Sequence, residues 1–182
     1  MEYMSRGSLK SWIQSQTTDI KLSLLYKILK ELAIGMNYLH TLATPILHRD
    51  LKTGNVLVKI KIHVLLIFEL RNNLQVAMTD FGLSKLAIGK QQSTMYGTPA
   101  YAAPEYLNSQ RMEERSEKGD VLSYGVIVWE LVTRETPWSE FERGEDIALS
   151  VIFGERLEIP QNCPVDLQEI MENCWQDGTY DQ

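Results

Sequence analysis

Apolar positions along this chain fall into two regimes. Between residues 19 and 40, Leu24, Leu25, Ile28, Leu29, Leu32, Met36 and Leu39 recur at three- and four-residue steps. That spacing lays them along one stripe of a helix and predicts an amphipathic helix from a cap at Asp19 to about His40. From Asp120 to Thr133 the pattern changes. Val121, Leu122, Val126, Ile127, Val128, Trp129, Leu131 and Val132 leave almost no polar face, which predicts a buried central helix. Further helices are expected over Gly144–Gly154 and, after Pro164, over Val165–Trp175. Two short β-prone runs, Val56–Val58 and Val76–Thr79, predict the strands of a hairpin. The fold class expected is mainly α with short β hairpins.

Composition narrows the picture. With 182 residues, 44% of them hydrophobic, one sizeable core is expected. A net charge of −6 and a pI near 5.1 argue against nucleic acid or an anionic membrane as partner. Cys163 and Cys174 lack metal-ligand or redox spacing and fit buried thiols in a reducing compartment, so a cytoplasmic location is expected. Met1 to Lys10 has no signal-peptide core, and no apolar run is long enough to span a bilayer.

The chemistry concentrates at His48-Arg49-Asp50-Leu51-Lys52-Thr53-Gly54-Asn55, which matches His-Arg-Asp-Leu-x-x-x-Asn. Asp80-Phe81-Gly82 follows, and then Ala103-Pro104-Glu105. One tripeptide recurs by chance; three in this order, with matching sequence between them, do not. On these residues the chain resembles a eukaryotic protein kinase over nearly its whole length. The resemblance implies the large, C-terminal lobe of a kinase-like fold, incomplete because the N-lobe is absent. The implied activity uses ATP and Mg2+ as cofactors, with nucleotide and a protein substrate as partners.

Phosphoryl transfer asks a protein for positioning and charge neutralisation more than for covalent chemistry. The resemblance gives Asp50 the task of accepting or orienting the proton of the attacking hydroxyl. Lys52 would set a fixed positive charge near the transferring phosphate. Asn55 and Asp80 are the implied hard oxygen ligands for magnesium, which takes few protein groups. Glu2, Met4 and Ser8 fall where the family's hinge meets the nucleotide, and Leu57 where the floor under adenine lies. His48 and Phe81, with Gly82 beside it, are implied packing supports rather than acids or bases. Asp120 is implied to hold the catalytic-loop backbone, and an acid on so apolar a helix needs such partners. Lys52 together with Thr98 in Gly97-Thr98-Pro99-Ala100-Tyr101 resembles the serine/threonine pattern. Glu2-Tyr3-Met4, Gly7-Ser8-Leu9, residues 120–138 and Cys174-Trp175 look most like the tyrosine-kinase-like group. Arg49 is implied to pair with a phosphate on the activation segment, where Ser93 and Thr94 are candidates; such a phosphate carries about −1.5 to −2 charge.

Residues 1–182 also depart from the family. They contain no glycine-rich loop, no strand lysine and no helix glutamate to pair with it. The expected layout is a hinge at 1–7 and a large lobe over 8–182, truncated before the arginine that follows Cys174-Trp175 in the family. Glu105, that arginine's partner, is therefore expected to sit partly buried without its counter-ion. Asp50 and Asp80 lie thirty residues apart, wider than is usual, and Lys59–Leu70 is left over as an insertion of twelve. Hairpin connections are ordinarily about two to five residues and polar. The block is either a genuine extension or translated non-coding sequence. Three functional readings stand beside one another: a serine/threonine signalling kinase whose lobe is inactive alone, a non-catalytic kinase-like binding module, and an incomplete gene product. Pseudokinases usually lose one of the catalytic residues, and Asp50, Lys52, Asn55 and Asp80 are all present.

Overall fold

The central element is helix α4, Glu117–Thr133, whose buried side chains include Leu122, Val126, Ile127, Val128 and Leu131. The computed structural model describes residues 7–60, 74–79, 85–86, 97–108 and 116–176, with backbone alone at 59, 60, 74, 75, 85 and 86. In chain order the other elements are α1 (Leu9–Gln14), α2 (Leu22–His40), β1 (Ile46–Leu47), β2 (Val56–Ile60), β3 (Leu74–Met78), β4 (Lys85–Leu86), α3 (Pro104–Leu107), α5 (Gly144–Ile152) and α6 (Val165–Trp175). The described residues are mostly helical with few strands. Two antiparallel pairs form, β1 with β4 and β2 with β3. Helices α2 and α6 pack against α4, and α2 also covers β3.

Helix α2 buries Leu25, Ile28, Leu29, Leu32 and Met36, the stripe its spacing predicts. Its start differs. The N-cap is Lys21 rather than Asp19, whose side chain is fully exposed and lies 3.9 Å from the Arg134 guanidinium. The amides of Leu24 and Leu25 donate to the Lys21 carbonyl, and no side chain caps the start of the helix. The hairpin also reaches further than expected. Strand β2 runs past Val58 to Ile60, paired with Leu74; Val58-Lys59-Ile60 and Leu74-Gln75-Val76 both alternate apolar and polar residues, as a paired strand does. Residues 61–73, which include 61–70 of the predicted insertion, lie outside the described residues.

Helix α5 stops at Ile152, two residues short of the expected Gly154. Phe153 caps it, and Gly154 adopts φ +90°, the left-handed turn that glycine permits at low cost. Helix α4 ends in the same way at Arg134, φ +62°, without a glycine. The Arg134 guanidinium donates instead to the carbonyls of Gln16 and Thr18, which ties this helix end to the segment after α1.

Gly119 sits on the first turn of α4 against the ring of Tyr106, which is 1% exposed and donates its hydroxyl to the Ser116 carbonyl at 2.8 Å. A Cβ at Gly119 would lie 1.9 Å from Tyr106 Cε2. Replacing glycine with alanine inside a helix ordinarily gains up to about 1 kcal/mol. Overpacking a filled core costs about 1–3 kcal/mol, and here the obstacle is a buried ring, so the clash outweighs the propensity. Gly119→Ala is expected to lower the urea midpoint. An unchanged or raised midpoint would show that Tyr106 moves aside freely.

Candidate active site

Asp120 organises the loop that follows β1. It is fully buried on α4, and its two carboxylate oxygens accept the backbone N–H groups of His48 and Arg49, each at 2.8 Å. The Oδ2 atom also meets His40 Nε2 at 2.8 Å. Three donors therefore repay the desolvation of a carboxylate on an otherwise apolar helix. The bond to the Arg49 amide accompanies a left-handed backbone at that residue, φ +67°. His48 is buried beneath the loop, its Nε2 3.1 Å from the Thr79 carbonyl.

That turn delivers Asp50 into a polar cluster. Lys52 Nζ lies 2.8 Å from Asp50 Oδ2, and Asn55 Nδ2 donates to the same oxygen at 3.0 Å and to the Asp50 carbonyl at 2.8 Å. From the other side, the Thr98 amide and hydroxyl donate to Asp50 Oδ1 at 3.0 and 2.9 Å. Lys52 Nζ in turn donates to Thr98 Oγ1 at 2.7 Å, which closes the ring. Gly97 allows this approach. Its φ is +83°, and a Cβ there would lie 2.7 Å from the Arg49 carbonyl. The Asn55 amide nitrogen is spent on Asp50, so its Oδ1 is the atom it can offer to a cation. The Asn55 carbonyl accepts from the Thr79 amide at 2.8 Å, joining the loop to the end of β3.

Four sequence-derived site residues, Asp50, Lys52, Asn55 and Thr98, are thus brought together, with Asp120, His48 and Arg49 supporting them. Leu57 lies on β2, half-buried, and is bridged to Ser8; the Val58 amide donates to the Gly7 carbonyl at 3.0 Å. The Ser8 hydroxyl accepts from the Ser11 amide at 3.2 Å and caps α1. Glu105 lies on α3 at 7% exposure, and it has an interaction partner. Glu105 is therefore not without a partner, as a carboxylate at that depth requires. Glu2, Met4, Asp80, Phe81, Gly82, Ser93 and Thr94 lie outside the described residues. Among those described, no cluster of three His, Cys, Asp or Glu side chains could hold a metal, and no helix is long and apolar enough to cross a membrane.

A second network went unforeseen. Glu130 on α4 is 4% exposed and accepts from Thr53 Oγ1 at 2.8 Å and from the Tyr101 hydroxyl at 2.6 Å. It links the Asp50 loop to the Pro99–Tyr101 turn. The available signal was the one applied to Asp120, an acid within an apolar helix. Burial raises the Glu130 pKa against the opposing hydrogen bonds from Tyr101 and Thr53 and the Lys10 charge. Burial and the neighbouring carboxylate likewise push the Tyr101 phenol up.

The raised Glu130 pKa means that the folded state holds a proton on this carboxylate more readily than the unfolded chain does. The resulting cost is absent below the unfolded value near pH ~4.3 and accumulates as pH rises through the folded value. Glu130→Gln keeps an oxygen for both donors and removes the charge. Its thermal midpoint relative to the parent is therefore expected to rise as the pH is taken from 4 to 7. A difference that shrinks over that range would contradict the burial argument.

Comparison with known proteins finds matches among kinases. The family model described as protein tyrosine and serine/threonine kinase matches residues 1–181. Serine/threonine-protein kinase CTR1 of Arabidopsis thaliana is 40% identical over 182 residues, covering 96% of this chain and 20% of its own length. "Probable serine/threonine-protein kinase drkA" of Dictyostelium discoideum is 38% identical, over 95% of this chain and 25% of its own. Dual specificity protein kinase shkC of the same organism is 33% identical, over 96% and 32%. The chain spans less than two thirds of the length of these relatives.

Proposed function

The chain belongs to the protein tyrosine and serine/threonine kinase family, and on that premise we propose that it transfers the γ-phosphoryl group of ATP to serine and threonine hydroxyls of protein substrates. The observation that carries this reading is the convergence of Lys52, Asn55 and Thr98 on the carboxylate of Asp50. In this reading Asp50 orients the acceptor hydroxyl and takes its proton. A carboxylate has about four lone-pair sites, and four donors already meet Asp50, so the hydroxyl must displace one of them. Lys52 faces the transferring phosphate while remaining paired to Asp50, so the attacking oxygen and the phosphate are held together.

Asn55 Oδ1 and the Asp80 carboxylate would hold Mg2+, a hard ion suited to such oxygens. Held there, it would supply positive charge to offset that of the phosphates. Leu57 would lie under the adenine, with Glu2, Met4 and Ser8 along the nucleotide edge. Arg49 would receive a phosphate on Ser93 or Thr94. The acceptor class rests on the Lys52–Thr98 contact and on the names of the relatives, and the tyrosine-kinase-like group on the same likeness. A signalling role inside the cell, where MgATP is present, belongs to this reading. Residues 1–182 hold no glycine-rich loop or strand lysine. Misplacing the nucleotide by about 1 Å can cost 10²-fold, so these residues alone are expected to be inactive.

The test is transfer of radiolabelled phosphate from ATP to an acceptor protein by the full-length protein, followed by phosphoamino-acid analysis. Label on serine and threonine that requires magnesium is expected. Label confined to tyrosine would overturn the acceptor class, and absence of transfer would favour a non-catalytic binding module.

A further inference from the structure

A groove of about 640 Å³ opens away from the Asp50 cluster, between the loop that follows α4 and the segment 155–160. Its floor is aromatic. Trp129 and Trp138 are 7% and 6% exposed, and the Trp138 and Phe141 rings lie 5.9 Å apart at 54°. Both walls are fixed in place. The Trp129 indole donates to the Glu158 carbonyl at 2.8 Å, holding one wall to α4. The other wall turns through a left-handed Trp138, φ +58°, with the Phe141 amide bonded to the Trp138 carbonyl at 3.1 Å.

The rim carries an unbalanced charge. Glu135 and Glu140 stand on one wall and Glu155 and Glu158 on the other, all four exposed. None of the four takes part in an ion pair among the described residues. The one cation in the lining, Arg156, donates to the Glu155 and Val151 carbonyls at 2.8 and 3.3 Å. Arg134, at the end of α4, is turned towards Gln16 and Thr18. The groove thus presents four exposed carboxylates above the buried Trp129 and Trp138 and the more exposed Phe141.

We propose that this groove binds an extended, arginine-rich segment of another protein. Carboxylates on opposite walls suit a chain that carries several cations along its length. Guanidinium suits the site better than ammonium because it pairs with carboxylates through a planar fork and also stacks on aromatic rings. Apolar side chains alternating with the arginines would meet Trp138 and Phe141. The inference is independent of the proposed catalysis, since no residue of the groove belongs to the Asp50 cluster.

The experiment is fluorescence anisotropy of the chain with a labelled peptide of alternating arginine and leucine. Saturable binding is expected. Glu140→Gln/Glu155→Gln, one change on each wall at exposed positions, should weaken it by about fivefold at low salt, with less effect at high salt. Phe141→Ala should weaken binding at both salt concentrations. Glu169→Gln/Glu172→Gln on α6 removes the same charge elsewhere and should leave binding intact. Equal loss in the two double variants would reduce the effect to general attraction towards an acidic chain and overturn the proposal. So would equal binding of an alternating glutamate–leucine peptide, or no saturable binding at all.

Discussion

Asp50→Asn in the full-length protein is expected to slow phosphoryl transfer by about 10²–10⁴-fold while leaving MgATP affinity nearly unchanged. The substitution keeps the shape of the side chain but removes the basic oxygen and the ionic pairing with Lys52, 2.8 Å away. Thr98 can still donate its amide to the remaining oxygen, so the local fold has reason to survive. Asp80→Asn should fail in another manner, because in the proposed reading that residue holds the metal; affinity for MgATP should fall together with turnover. Calorimetry separates the two. Comparable loss of nucleotide affinity in both variants would sink the assignment of roles, whichever of them is slower.

Asp120→Ala is expected to destabilise the chain by about 3–5 kcal/mol, because each donor left stranded away from water costs about 1–3 kcal/mol. Against a total of about 5–15 kcal/mol for a domain, that is a loss visible in any denaturant titration. The reason lies in the number of donors left stranded. The backbone amides of His48 and Arg49 would lose their carboxylate acceptor, and the His40 ring would lose its partner. Asp120→Asn should also destabilise the fold. An amide offers one oxygen and turns N–H groups towards a position now served by a second acceptor. A cost below about 1 kcal/mol in the alanine variant would mean that water reaches those amides, and that Asp120 is not the anchor it resembles.

The helices were legible in the sequence wherever burial imposed a period. Helix α6 runs over the residues its pattern indicated, and the stripe of α2 is the one buried. The helix ends were less legible. Asp19 has the chemistry of a cap but not the place of one, because the chain between α1 and α2 is held by Arg134 from a distant helix. The β1–β4 pair is two residues long on each side, too short for alternation to register. At the site, the motif spacing brought Asp50, Lys52 and Asn55 together in advance. Thr53 and Tyr101 meeting Glu130 escaped notice, since nothing in their local sequence says that a carboxylate waits on another element.

The bonds from Asp120 to the loop span 72 and 71 positions along the chain. Contacts of such long sequence separation form only after the intervening chain has paid its loop-closure entropy, which makes them late events in folding. During synthesis from the N-terminus, the Asp50 segment therefore leaves the ribosome well before α4 exists to receive it. The left-handed turn at Arg49 has nothing to hold it until then. The loop takes its working shape as one of the last acts of assembly, when the central helix docks.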